Sequence, residues 1–174
     1  TLAIGHSLRF WGAFLACRQL IAAGVIGIPV SGSIDRMGTA NLQKATSAAG
    51  DQTDWRSKVA NTGGNVLEGF IHELDFARAI FGEVASVTAQ VGGGQEYEGL
   101  LSPAIVQAVA GFETGALVTL RTGSTVSLPT RGYWIAGTEG GLRFSEWGGP
   151  IEHYRGDFSE KRLVSAKATN AYYL

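Results

Sequence analysis

The sequence predicts an α+β domain: one large open-faced, mostly antiparallel β-sheet with helices packed on one face. Three observations predict it. Two amphipathic helical patterns come early, over about Leu8 to Ala23 and over Asn61 to Glu83. From Ala85 onward, period-two alternation recurs almost without interruption, broken by short turns. The chain has 174 residues, 45% of them hydrophobic, which suits one sizeable core and argues for a single domain over residues 1–174. Strands that follow helices in a block, without alternating with them, indicate a sheet built largely of hairpins.

Composition narrows the function classes. Fourteen Lys and Arg stand against fifteen Asp and Glu and are scattered, so no nucleic-acid partner is expected. The single cysteine, Cys17, cannot form an internal disulfide, which fits a reducing, cytoplasmic setting. The apolar run Phe10 to Cys17 is bracketed by Arg9 and Arg18 and is too short to span a bilayer, and no signal peptide is visible. No membrane association is expected. The chain starts abruptly, with neither an initiator Met nor a leader, and reads as a fragment. Glycine is abundant, yet neither Gly92 to Gly94 nor Gly137 to Gly141 has the G-x-G-x-x-G spacing with a helix after it, and no P-loop lysine is present. This chain alone is therefore expected to bind no nucleotide cofactor.

Taken in order, Leu2 to His6 reads as a short strand. Ser7 is placed to cap a helix from about Leu8 to Ala23, with Phe10, Phe14, Cys17 and Ile21 on one stripe, and Gly24 ends it. Ile26, Ile28, Val30 and Ile34 alternate with small or polar residues, the pattern of a strand with one wet face; Pro29 marks an edge or a strand start. Gly38 to Asp54 is polar and without period, as expected of a functional loop. It leads into Asp54-Trp55-Arg56, an aromatic and a permanent cation just before the next helix.

That helix, Asn61 to Glu83, organises the rest. Leu67, Phe70, Ile71, Leu74, Ala77, Arg78 and Phe81 form its stripe. Glu68, His72 and Asp75 fall at i, i+4 and i+7, on one line of its surface beside the stripe. Thr62, Gly63 and Gly64 supply a cap-capable start, and Gly82 suits the residue after the C-cap. Strands follow over Ala85 to Val91, then Ala104 to Phe112 and Ala116 to Thr122 joined across Glu113-Thr114-Gly115. Tyr133 to Gly137 and Leu142 to Trp147 flank Thr138 to Gly141 as a second hairpin, and Ile151 to Arg155 adds a strand. Many strands show one polar face, so the far side of the sheet is expected to be open and to meet a second subunit or another domain.

For chemistry, an imidazole titrating near neutrality is suited to remove a hydroxyl proton, with Glu68 orienting or polarising His72. The bland reading makes Glu68 and His72 an ordinary surface pair, and Asp75 an ion-pair partner of Arg78. Trp55 either stacks on a ligand or covers core, and Arg56 is either a ligand contact or a solvated loop cation. Arg9 reads as structural, and Tyr97 as a solvated loop residue. His6 and His153 have no partners at metal-ligand spacing, and no metal site is expected.

Several landmarks together resemble a known family: Arg9-Phe10 before the first helix, Gly24-Val25-Ile26-Gly27, Asp54-Trp55-Arg56, Gly63-Gly64, and His72 with Asp75 and Gly82. Gly115-Ala116-Leu117 and Gly137-Thr138-Glu139-Gly140 extend the pattern through the sheet. Over essentially its whole length the chain resembles the C-terminal domain of the glucose-fructose oxidoreductase, inositol dehydrogenase and MocA (Gfo/Idh/MocA) family. The resemblance implies a preceding Rossmann domain that binds NAD or NADP in the complete enzyme, an open sheet that makes the dimer interface, and a helix that faces the nicotinamide. It also implies sugar, inositol or related polyol substrates and a D-x-x-x-H motif. His72 matches the family histidine, whereas Glu68 stands where the family usually has Asp, and the family lysine has no counterpart. On this resemblance His72 and Glu68 are the expected catalytic pair, Trp55, Arg56 and Asp75 the expected substrate contacts, and Arg56 also a cofactor contact. Two readings stand: the substrate-binding and dimerisation domain of an NAD(P)-dependent oxidoreductase, inactive alone, or a free-standing dimeric binding or scaffold domain.

Overall fold

The computed structural model describes residues 5–39, 59–97, 100–102, 104–123, 125–156 and 161–164. The expected strand at Leu2 to His6 falls mostly outside them; Gly5 and His6, which are described, are not in a strand. The first helix is shorter than its apolar stripe. Ser7–Phe10 is a 3₁₀ turn, and Trp11 takes an extended conformation (φ −81°, ψ 149°) before α1 starts at Gly12 and runs to Ala22. Ser7 is thus not the cap of a continuous helix, and Phe10 is 56% exposed, off the core stripe. Gly12, Ala13, Phe14 and Cys17 are the residues that α1 buries. Gly24, at φ +71°, turns the chain out of the helix in a conformation that strains a residue carrying a Cβ.

The next strand, β1 (Pro29–Thr39), is central and not at an edge. Pro29 begins it, where the missing N–H costs least. Ile26 and Ile34 are buried, whereas Ile28 and Val30 are exposed, so the expected alternation holds only toward the later part of the strand. At Gly32 an added Cβ would lie 2.8 Å from Phe81 Cζ and 2.9 Å from the Trp134 carbonyl oxygen, so the closeness of helix and sheet here depends on glycine.

The helical stretch expected as one element is three: α2 (Val59–Thr62), α3 (Gly64–Glu68) and α4 (Ile71–Phe81). Gly63 and Gly64 have φ of +71° and +81°, which breaks α2 from α3. The second break has a tertiary cause. In a continuous helix the Gly69 carbonyl would accept from the Glu73 N–H. Here the Glu73 N–H bonds the Phe70 carbonyl at 3.1 Å, and the Gly69 carbonyl accepts from Arg36 Nη1 at 2.7 Å. The buried stripe shifts accordingly: Phe70, Phe76, Ala77 and Phe81 are in the core, Leu74 is half-buried, and Leu67 is 62% exposed. Gly82 closes α4 at φ +95°, its N–H bonding the Arg78 carbonyl.

The remaining strands are β2 (Val84–Gly92), β3 (Gln95–Tyr97), β4 (Leu100–Ser102), β5 (Ile105–Phe112), β6 (Leu117–Gly123), β7 (Thr125–Gly137), β8 (Gly140–Phe144), β9 (Ile151–Arg155) and β10 (Lys161–Val164). Among the described residues the main sheet runs β10-β9-β8-β7-β1-β6-β5-β2, with β3 and β4 as a separate pair. Both expected hairpins form, β5–β6 with Gly115 at φ +86° and β7–β8 across Thr138 and Glu139. Most neighbours are antiparallel; β1 and β6 run parallel.

The helices pack on one face of this sheet. Their core joins Phe14 from α1 and Phe76 from α4 to Tyr133, Phe144 and Trp147, with Phe76 and Trp147 ring centres 5.0 Å apart and Tyr133 stacked on Phe144 at 4.6 Å. The opposite face carries Asp35 paired with Arg121 at 2.6–2.7 Å, together with exposed Val109, Leu117 and Trp134. No helix among the described residues is long and apolar enough to cross a membrane, which says nothing of strands.

Candidate active site

His72 sits in the first turn of α4, and Glu73 follows it into the core. Both line a cavity of about 330 Å³ whose other walls come from the 3₁₀ turn (Ser7, Leu8), Trp11, β1 (Arg36), β7 (Arg131) and the segment after β8 (Glu146, Trp147). Arg36 and Arg131 are direct cross-strand partners, which puts both guanidiniums at the same place on the helix-covered face.

Glu73 is 0% exposed, an expensive place for a carboxylate unless it is paired. It accepts from Tyr133 Oη at 3.0 Å and from Arg36 Nη1 at 3.1 and 3.3 Å. Burial, and then the neighbouring Glu73 charge, push the Tyr133 hydroxyl well above the usual phenol range, so Tyr133 stays a donor. Because Arg36 Nη1 also bonds the Gly69 carbonyl, one guanidinium nitrogen ties the break before α4 to its first turn.

One turn on, Asp75 is 8% exposed and accepts two hydrogen bonds from Arg9, Nε to Oδ2 at 2.7 Å and Nη2 to Oδ1 at 2.6 Å. Those bonds hold its carboxyl below the usual carboxylate range, against the opposing effect of burial. His6 Nδ1 lies 4.0 Å from Asp75 Oδ2, and the His6 ring meets the His72 ring edge-on with centres 6.4 Å apart. His72 Nδ1 is buried and has no hydrogen-bond partner among the described residues.

The expected site residues are thus distributed unevenly. His72 lines the cavity. Glu68 ends α3 on the far side of the Gly69–Phe70 break, so helical i, i+4 spacing does not relate it to His72. Asp75 is paired with Arg9 and not with Arg78, which instead binds Glu83 at 2.6–2.7 Å. Trp55 and Arg56 lie outside the described residues.

Sequence reasoning missed Arg36, Glu73, Arg131, Tyr133 and Glu146. A signal existed for two of them: Arg36 stands two residues after Ile34, and Arg131 two before Tyr133, each a cation at a core-facing position of its strand. His6, set aside for lack of metal-ligand spacing, proves to neighbour His72 and Asp75.

A larger cavity, about 450 Å³, lies along β7, β8 and β9 beside Trp134, Arg143, Tyr154 and Arg155. Among the described residues no imidazole or carboxylate lines it.

Residues 14–143 match the family model described as the GFO/IDH/MocA C-terminal domain. No curated protein matches the chain. Among solved structures, a levoglucosan dehydrogenase in complex with NADH and levoglucosan is 18% identical with a TM-score of 0.74, covering 92% of this chain and 45% of its own. An oxidoreductase from Thermotoga maritima is 22% identical with a TM-score of 0.71, covering 96% of this chain and 48% of its own. An oxidoreductase from Agrobacterium radiobacter in complex with NAD+, L-tartaric acid and magnesium is 19% identical with a TM-score of 0.68, covering 92% and 44%. The chain therefore spans less than half the length of these proteins, and at such identities the likeness is one of fold. With the family model covering most of the sequence, the chain belongs to the GFO/IDH/MocA C-terminal domain family.

Proposed function

We propose that this chain is the substrate-binding and dimerisation domain of an NAD(P)-dependent oxidoreductase acting on a sugar, inositol or a related polyol, and that it is inactive without a nucleotide-binding domain. The observation that carries the reading is His72 on the wall of a cavity that combines the polar side chains of Ser7, Arg36, Glu73, Arg131 and Glu146 with the apolar surfaces of Leu8, Trp11 and Trp147. Such a lining suits a polyhydroxylated ring, which needs donors, acceptors and an apolar face together. The solved relatives bound to NADH with levoglucosan, or to NAD+, support the same class.

The residues of this chain do not by themselves fit a dinucleotide, since its sequence holds no G-x-G-x-x-G turn opening a helix. The cofactor, held by the other domain, supplies the hydride acceptor. This chain's part is to seat the alcohol and take its proton. His72 offers a ring nitrogen to the hydroxyl, and an imidazole is the side chain suited to that transfer near neutral pH. Arg36, Arg131 and Glu146 supply donors and an acceptor around it. Glu68, Trp55, Arg56 and Asp75 remain proposed contributors, Arg56 toward cofactor as well as substrate, and Asp75 through the Arg9 pair that sets its place beside His6 and His72.

Self-association through the open sheet face is part of the proposal, supported by exposed Val109, Leu117 and Trp134 there. So is a cytoplasmic location, supported by Cys17 as a free, buried thiol. The second reading, a free-standing binding or scaffold domain, draws on the break that separates Glu68 from His72.

One experiment separates the two. A polypeptide joining this domain to its nucleotide-binding domain is screened for polyol-dependent reduction of NAD+ or NADP+, with and without His72→Asn. Loss of turnover by about a hundred- to ten-thousandfold at unchanged thermal stability supports the oxidoreductase. No activity in the wild type supports the scaffold, whereas full activity in the variant makes His72 a structural residue and leaves the oxidoreductase class standing.

A further inference from the structure

We propose that Arg36 is the substrate-orienting group of the His72 cavity and that buried Glu73 makes this cavity select an uncharged polyol over its carboxylate-bearing counterpart; the inference rests on the oxidoreductase reading above. Arg36 is 35% exposed and shares the cavity wall with His72. Only Nη1 is committed, to the Gly69 carbonyl and to Glu73. Among the described residues Nε and Nη2 make no hydrogen bond. The guanidinium is therefore immobilised through one nitrogen with its other N–H groups unspent, the arrangement that orients a ligand at little entropic cost. Immobilisation comes from below, where Glu73 is fully buried and is itself held by Tyr133.

Charge decides what those donors accept. An arginine facing a cavity ordinarily favours a carboxylate. Here the Arg36 charge is already matched by Glu73 at 3.1 Å, and the neighbouring Arg131 is opposed by Glu146 at 3.8 Å on the exposed rim. Among the described residues the walls thus present two guanidiniums and two carboxylates with no net positive charge. Hydroxyl oxygens find donors and, in Glu146, an acceptor. A substrate carboxylate gains no uncompensated cation among the described residues and meets Glu146 at the rim.

The test uses the polypeptide that joins this domain to its nucleotide-binding domain, with paired probes that differ by CH₂OH against carboxylate: D-glucose with D-glucuronate and D-galactose with D-galacturonate. The wild type is expected to favour the neutral member of a pair by kcat/KM. Glu73→Gln, nearly isosteric, leaves Arg36 a net cation and should move the neutral-to-acid ratio toward the acid by roughly tenfold or more. Arg36→Gln should raise KM for the neutral sugar by about tenfold. If Glu73→Gln fails to fold by thermal melting, Glu146→Gln on the exposed rim is read in its place, with a shift in the same direction but smaller, because solvent screens it. A wild type that prefers the acids, or a Glu73→Gln enzyme that loses activity on both members equally, overturns the inference and leaves the oxidoreductase standing. A wild type that oxidises neither member of either pair overturns the inference together with the sugar reading.

Discussion

Tyr133 Oη donates to Glu73 Oε1 at 3.0 Å, joining the middle of β7 to the first turn of α4 inside the core. Tyr133→Phe removes that donor without opening a cavity and, among the described residues, leaves Arg36 as the remaining side-chain donor to a fully buried carboxylate. The expected loss is about 1–3 kcal/mol, read as a lower urea midpoint at unchanged slope. An unchanged midpoint would mean that Glu73 does not depend on this bond.

Phe76 and Leu74 lie two residues apart on α4 but differ in burial. Phe76 is 0% exposed and touches the rings of Phe14, Tyr133, Phe144 and Trp147, whereas Leu74 is half-buried at the margin of the core. Phe76→Ala is expected to cost about 3–5 kcal/mol, and Leu74→Ala clearly less than the roughly 2–5 kcal/mol of a fully buried leucine. Denaturant unfolding of both variants orders them, and equal losses would contradict the packing described.

At Gly32 the helix layer meets the sheet with no room for a side chain. Gly32→Val would drive its Cβ against Phe81 and the Trp134 carbonyl, both under 3.0 Å away. The expected destabilisation is about 1–3 kcal/mol or more, with loss of near-ultraviolet circular dichroism from the aromatic core. A variant as stable as the wild type would show that Phe81 is not held against β1.

Two buried groups set opposite pH limits. Burial pushes the Cys17 thiol up to about 12, so the unfolded chain loses its proton first as pH rises. That contribution is complete below the ordinary thiol range of about 8.5 and is lost progressively up to the folded value, at no more than about 1.4 kcal/mol per pH unit. Cys17→Ala should flatten the alkaline decline. Asp75, held low by Arg9, works in reverse: its contribution is present above the ordinary aspartate range of about 3.9 and is lost as pH falls through the lowered folded value. Asp75→Asn should lower stability at neutral pH and lessen the further loss in acid. Melting temperature against pH for the wild type and both variants checks each sign.

Whatever depends on neighbours along the chain could be read in advance. The β5–β6 turn was visible in Glu113-Thr114-Gly115, because a two-strand reversal needs a residue that tolerates positive φ, and Gly115 takes it at +86°. The period-two runs placed β2, β5, β6, β8 and β9 to within a few residues, and Gly24 and Gly82 ended their helices as expected. His72 stood out as a polar residue beside an apolar stripe, and the structure sets it on a cavity.

What the sequence determined by itself is therefore the α+β class, most strands of the main sheet and the residue that most invites chemistry, since local periodicity, turn residues and side-chain types carry that information. Tertiary structure alone decided the parallel pairing of β1 with β6, the division of one helical stretch into α3 and α4, and the assembly of Arg36, Glu73 and Tyr133. The physical reason is the same in each case. A carbonyl at Gly69 can bond forward along a helix or sideways to a guanidinium more than thirty residues earlier in the chain, and the choice depends on where the sheet has carried Arg36. Glu73, a charged residue that local pattern would leave in solvent, is buried because two distant strands bring it a cation and a phenol.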